Sequence, residues 1–109
     1  MKRLAVALTL LPGIAAAEMQ VRNTRYNCDR GVVVPVVYVN DPDQSLAVLQ
    51  VEGAQILLYA DAEGSGGRYS WPSDGSNYVW VTDGAGATLN WKDGAAGTET
   101  PILTACVQQ

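Results

Sequence analysis

The chain has 109 residues, 48% of them hydrophobic and 17% charged, with seven lysines and arginines against 11 acids. That is enough for one domain, and a net charge of −4 disfavours nucleic acid and anionic membranes as partners. There is no histidine, which excludes Ser–His and Cys–His catalytic pairs and any imidazole metal site.

The N-terminus opens with Lys2 and Arg3, continues with an apolar run over residues 4–11, breaks at Pro12-Gly13 and reaches the small residues Ala15, Ala16 and Ala17. This pattern predicts a secretory signal over residues 1–17, cut before Glu18, leaving residues 18–109 as the domain. The apolar run falls short of the roughly 20 residues that cross about 30 Å of hydrocarbon. The first cysteine is Cys28, so no lipid-modified residue is expected at the cleavage point and no membrane anchor is predicted. Loss of Lys2 and Arg3 leaves five cations against 11 acids, a net charge of −6. Such acidity favours solubility and would attract a basic partner.

Beyond residue 17 the chain reads as short β-rich runs separated by Gly, Asp, Asn, Ser and Pro, with no helix and no linker. Strands are predicted over residues 21–28, 32–39, 46–51, 55–60, 68–71, 78–82, 87–92 and 102–107. Tyr78, Trp80 and Thr82 share one face against Val79 and Val81, and Leu89 and Trp91 alternate with Thr88 and Asn90. Short spacings imply successive antiparallel hairpins, and Glu52-Gly53, Asp83-Gly84 and Asp93-Gly94 suit tight turns that need a positive φ. Pro35 has no N–H for a ladder and must sit at an edge or a bulge. Closing this meander into a small eight-stranded barrel would remove its exposed edges.

Cys28 and Cys106 are the only cysteines and stand near the two ends of this region. Export makes a disulfide between them the natural reading, tying first strand to last. With no Cys-x-x-Cys and no neighbouring base, a structural role is preferred over a redox one.

Between Ser65 and Leu89 a Ser-Gly-x-x-Tyr loop leads into an aromatic strand and an Asp-Gly turn. A hydroxyl and an arginine among glycines make a sparsely side-chained projection, better suited to binding than to catalysis. Tyr26-x-Cys28-x-x-Gly31, Val36-x-Tyr38-x-Asn40, Ser65-Gly66-x-x-Tyr69, Trp80-x-x-x-Gly84-x-x-Ala87-Thr88-Leu89 and Cys106, in that order, resemble the MliC/PliC family of bacterial inhibitors of C-type lysozymes. The resemblance covers nearly all of the chain after residue 17. It implies an eight-stranded antiparallel barrel in the periplasm, an inhibitor and not an enzyme, with two neighbouring loops entering the cleft of a lysozyme partner. It implies no cofactor. Anchored members carry a lipobox cysteine, so this chain resembles the soluble, periplasmic type.

Carried onto this sequence, the family's inhibitory serine falls on Ser65, and Gly66 and Tyr69 complete its loop. The family's second inhibitory residue is a lysine before a glycine, and Asp83 stands there, before Gly84. C-type lysozymes act through one protonated and one ionised carboxyl group. A lysine complements that pair, whereas an aspartate about 4 Å from a carboxylate is repelled by up to roughly 4 kcal/mol at an effective dielectric of 20. Arg68 is the nearest alternative cation, which completes a lysozyme-binding set of Ser65, Gly66, Arg68, Tyr69, Asp83 and Gly84. The departure at Asp83 keeps a second reading open, a binding module of the same fold with another cell-wall hydrolase or envelope component as target.

Other residues read structurally. Tyr26, Tyr38, Tyr69, Trp80 and Trp91 have the spacing of core or rim aromatics and not of a sugar platform. Asp41, Asp43 and Gln44 lack the acidic ladder and terminal Glu of a calcium loop and read as a turn, so no metal is expected. Asp61, Glu63 and Asp74 invite comparison with a glycosidase pair, but nothing in the sequence would raise one pKa selectively.

Overall fold

β-branched and aromatic residues at every second position give each segment one face to bury, and a closed sheet is the arrangement that buries all of those faces together. The computed structural model describes residues 18–61 and 67–109. Eight strands follow in order: β1 (Gln20–Asn27), β2 (Val33–Asn40), β3 (Ser45–Val51), β4 (Ala54–Ala60), β5 (Arg68–Ser70), β6 (Asn77–Asp83), β7 (Gly86–Asp93) and β8 (Thr98–Gln108). Each pairs antiparallel with the next, and β8 returns to β1 to close the barrel. The predicted eight-stranded barrel is the observed one. Its strand centres match those read from the sequence.

The core follows the two-residue period. Val34, Val36 and Tyr38 of β2, Ala47, Leu49 and Val51 of β3, Ile56 and Leu58 of β4, and Ala87 and Leu89 of β7 all point inward. Trp80 fills the centre and meets Tyr26 edge-on, with ring centroids 5.0 Å apart. Trp91 shares the face of Leu89, as read, but lies at the barrel's open end, where it stacks edge-on against Tyr78 at 5.1 Å and stays exposed. It is a rim residue.

Cys28 and Cys106 are joined across the seam between β1 and β8. The buried residues of β8, Leu103 and Cys106, are three apart because the β7–β8 register shifts between Ala87 and Leu89; it shifts again between Leu89 and Asn90. β8 carries the extra residues, and Ala105 takes a φ of 53° beside the cysteine. Pro35 stands outside the β2–β3 ladder, which begins at Val36, so on that side it is at a local edge.

Two predicted turns are displaced. Glu52-Gly53 forms the expected two-residue connection with both φ values positive. Asp83, in contrast, is still in the ladder, paired with Gly86, so the turn residues are Gly84 and Ala85, with glycine first at φ 62°. After Asp93 the connection runs over residues 94–97, and Gly97 carries the positive φ. Asp93 stabilises it by accepting the N–H groups of Ala95 and Ala96 through its Oδ1. One short 3-10 turn, Asp29–Gly31, interrupts the expected all-strand pattern between β1 and β2.

Candidate functional site

Antiparallel order brings to one end of the barrel the Asp41 to Gln44 connection between β2 and β3, the flanking residues Asp61 and Gly67 between β4 and β5, and Gly84-Ala85 between β6 and β7. Ser65 and Gly66 lie outside the described residues. Gly67, the last residue of their connection, is held against the neighbouring turn. Its carbonyl accepts the Thr82 N–H at 2.6 Å and the Thr82 Oγ1 hydroxyl at 3.2 Å. A Cβ on Gly67 would sit 2.9 Å from both the carbonyl oxygen and the hydroxyl of Thr82, at a φ of 124°, so only glycine permits this approach. The other side of the same stem is closed by the Asp61 N–H to the Arg68 carbonyl at 2.9 Å. Thr82 immediately precedes Asp83, so the residue after Ser65-Gly66 is clamped beside the strand end that leads into the Gly84-Ala85 turn. Ala85 is in turn tied to β8, its carbonyl accepting the Gln108 N–H at 3.0 Å.

Tyr69 faces inward, packed against the core and 5.6 Å from Tyr38. Burial pushes its hydroxyl pKa up, while the nearby Arg22 charge opposes the shift. Asp83 is exposed and makes no ion pair among the described residues.

Arg68 faces the opposite way. Its Nε donates to Asp61 Oδ2 at 2.9 Å and its terminal nitrogens donate to both carboxylate oxygens of Glu99, on β8. Ser70 donates to Asp61 Oδ1 at 2.5 Å, and Asn90 Nδ2 donates to Glu99 Oε1 at 3.3 Å. This network crosses the outer faces of β6 and β7, and Val79 on that face is fully buried. The guanidinium is thus already engaged by two carboxylates, which the sequence could not show. Those hydrogen bonds hold the Glu99 carboxyl below its usual range, and Glu99 in turn raises the pKa of Arg68.

The Glu99 shift sets a pH dependence. Its folded pKa lies below the ordinary 4.5, so the unfolded chain binds more protons in that region, and the contribution to stability is present above about 4.5 and lost as pH falls through the folded value. The melting temperature of Glu99→Gln should be below that of wild type at pH 7, with the gap closing on acidification below pH 4.5. A gap that stays constant down to pH 3 would refute this assignment.

Asp61, Asp74, Asp41 and Asp43 agree with the structural reading. Asp61 is ion-paired to Arg68, Glu63 is outside the described residues, and Asp74 sits in the β5–β6 connection at the opposite end of the barrel, so Asp61 and Asp74 are not a catalytic pair. Asp41 makes a closed turn with Gln44, and its Oδ1 accepts the Asp43 N–H at 3.0 Å. Among the described residues no group of three or more carboxylates or thiols is placed to hold a metal. None of their helices is long and apolar enough to cross a membrane.

Residues 26–97 match the family MliC, membrane-bound lysozyme-inhibitor of c-type lysozyme. A membrane-bound lysozyme inhibitor of C-type lysozyme from Cupriavidus necator is 38% identical over 79 residues, 72% of this chain and 60% of the relative. One from Pseudomonas aeruginosa is 36% identical over 87 residues, 77% of this chain and 64% of the relative. The chain therefore spans under two thirds of the length of these curated relatives. Among solved structures, P. aeruginosa MliC, crystallised in complex with hen egg white lysozyme, superposes with a TM-score of 0.64 at 28% identity, covering 99% of this chain and 100% of that one. PliC of Salmonella typhimurium, a periplasmic lysozyme inhibitor of C-type lysozyme, shares the fold with a TM-score of 0.68 at 23% identity, covering 83% of this chain and 99% of that one.

Proposed function

The chain belongs to the MliC family of lysozyme inhibitors, and from that premise we propose that it inhibits a C-type lysozyme by seating the Ser65–Tyr69 loop and the Asp83-Gly84 turn in the enzyme's active-site cleft. The observation that supports this reading is the clamp between Gly67 and Thr82, which ties the residue after Ser65-Gly66 to the strand that leads into Asp83 and Gly84. Pre-organisation of that kind lowers the entropy lost on binding. In this reading Ser65 enters the cleft with Gly66 beside it, and Tyr69 anchors the loop to the core. Arg68 acts from behind, its charge engaged by Asp61 and Glu99 while it fixes the stem. No group of this chain performs chemistry on the partner. The family is one of membrane-bound or periplasmic inhibitors; for this chain we assign residues 1–17 as a cleaved signal and the periplasm as its compartment, where the acidic surface would draw in a basic enzyme.

Asp83 favours the second reading, a changed target, because a carboxylate sits where the family has a cation. Titrating hen egg white lysozyme with residues 18–109 and following cell-wall lysis separates the two. A stoichiometric block supports inhibition, and a folded barrel without a block supports the changed target. If the turn does lie beside the enzyme's carboxyl pair, Asp83→Lys should tighten inhibition by about tenfold, equal to about 1.4 kcal/mol. Ser65→Ala should weaken it, since a hydroxyl that can donate and accept is lost from a desolvated cleft. Inhibition constants indifferent to both changes would remove these loops from the interface.

A further inference from the structure

Five cations stand in residues 18–109: Arg22, Arg25, Arg30, Arg68 and Lys92. Arg30 is bound to Asp29 and donates to the Ile102 carbonyl at the far end of the barrel, and Arg68 is held by two carboxylates on its outer wall. Lys92 pairs in register with Asn77 and Glu99, also toward the far end. Arg25, opposite Pro35, lies on the outward-facing side of β1. Arg22 alone combines the inward side of β1 with the end that carries the loops. It shares parity with the buried Tyr26, is directly opposite Tyr38, and sits two residues from the start of its strand.

At that position a β-barrel normally ends its apolar lining. Here the side chain is exposed, and its guanidinium carbon lies over the Tyr38 ring, 4.7 Å from the centroid. Tyr38 is 5.6 Å from Tyr69, the residue that closes the Ser-Gly loop, so the charge stands at the base of that loop. A guanidinium resting on an aromatic face is fixed in place by cation–π attraction, and its donors, which lie in the guanidinium plane, stay free to grip a carboxylate in bidentate fashion. Among the described residues those donors have no ion-pair partner. The connections at this end of the barrel carry Asp41, Asp43 and Asp83. A barrel end that carries several carboxylates and one such cation is complementary to a basic protein surface that holds a carboxylate-lined cleft.

We propose that Arg22 is the partner-facing cation of this site, binding a carboxylate of the target enzyme in the role that Asp83 cannot fill. This rests on the lysozyme-inhibition reading above and deepens it by naming a residue outside the family's loops.

The test uses residues 18–109 and hen egg white lysozyme, with inhibition constants measured for Arg22→Gln, Arg22→Lys, Arg22→Glu and the Arg22→Gln/Asp83→Lys pair. Near-UV circular dichroism and melting temperature are checked for each. Arg22→Gln should weaken inhibition by about tenfold or more, Arg22→Lys by less, and Arg22→Glu by more than Arg22→Gln. The paired variant should recover most of the loss by supplying a cation from Asp83's position at the same end of the barrel. An unchanged constant for folded Arg22→Gln, with Ser65→Ala still impaired, overturns this assignment and leaves the inhibition reading standing. Equal losses for Arg22→Gln and Arg22→Glu that track the melting temperature also overturn it, since they mark a purely structural residue. A wild-type chain that leaves lysozyme active overturns both.

Discussion

Replacing both cysteines by alanine is expected to lower the unfolding free energy by about 2–5 kcal/mol, one of the largest effects available from any change outside the barrel's central core. The reason is the position of the bond. β1 and β2 are paired along eight Cα positions, whereas the seam that closes the barrel, β1 against β8, has only Tyr26 with Gln108 and Asn27 with Val107. Cys28 and Cys106 span that seam with a separation of 78 residues, and both sulfur-bearing side chains are buried. Chain-entropy arguments give roughly 4–5 kcal/mol for a loop of that length, against about 5–15 kcal/mol of total stability for a typical domain. Denaturant titration of Cys28→Ala/Cys106→Ala beside wild type measures the loss, and hydrogen exchange should locate the first opening at β1 and β8. A midpoint within error of wild type would show that Asp29 accepting the Thr104 N–H and Arg30 gripping the Ile102 carbonyl already close the seam.

The strands were legible because alternation is a local signal. Val34, Val36 and Tyr38, or Ala47, Leu49 and Val51, reveal their inward side without knowledge of what they face. Closure was legible too, since a meander of eight strands with cysteines at both ends has one economical solution. The errors came where geometry depends on the partner strand. The Asp83-Gly84 pair is a good turn sequence, yet the ladder extends through Asp83 and moves the turn to Gly84-Ala85. The same applies to Asp93-Gly94, where Gly97 and not Gly94 takes the left-handed conformation. The bulges of β8 leave no mark in its own sequence, because they arise from register against β7.

For the candidate site, the barrel brings Gly67 beside Thr82, but motifs could not reveal how the charges are engaged. Arg68 meets Glu99 across 31 residues of chain, a contact set by curvature. Arg22 was missed although its parity with Tyr26 was visible, because its position over Tyr38 exists only once β1 and β2 are in register.

Tyr38→Phe is expected to cost about 2–3 kcal/mol of stability while leaving inhibition by the surviving folded protein nearly unchanged. The Tyr38 hydroxyl accepts the Trp80 indole N–H at 2.8 Å and shares a hydrogen bond of 2.8 Å with the Tyr26 hydroxyl, which also receives Gln108 Nε2 at 3.3 Å. All three aromatic residues are buried, so removing one oxygen strands an indole donor and weakens a neighbouring hydroxyl in the core, at about 1–3 kcal/mol for an unsatisfied group. Burial holds the Tyr38 hydroxyl in its neutral form, with a pKa raised above the ordinary 10.0. Its contribution is therefore complete below pH 10 and falls as pH rises beyond that value toward the folded pKa. Wild type should lose stability above pH 10 more steeply than Tyr38→Phe. The ring itself remains in the variant, so the Arg22 guanidinium keeps its aromatic support and Tyr69 keeps its neighbour. Stability and inhibition should thus separate in this one substitution. A parallel fall in both, measured at a temperature where the variant is fully folded, would mean that the core hydroxyls position the binding end directly, and that the barrel transmits its packing to the loops more tightly than the Gly67–Thr82 clamp alone requires.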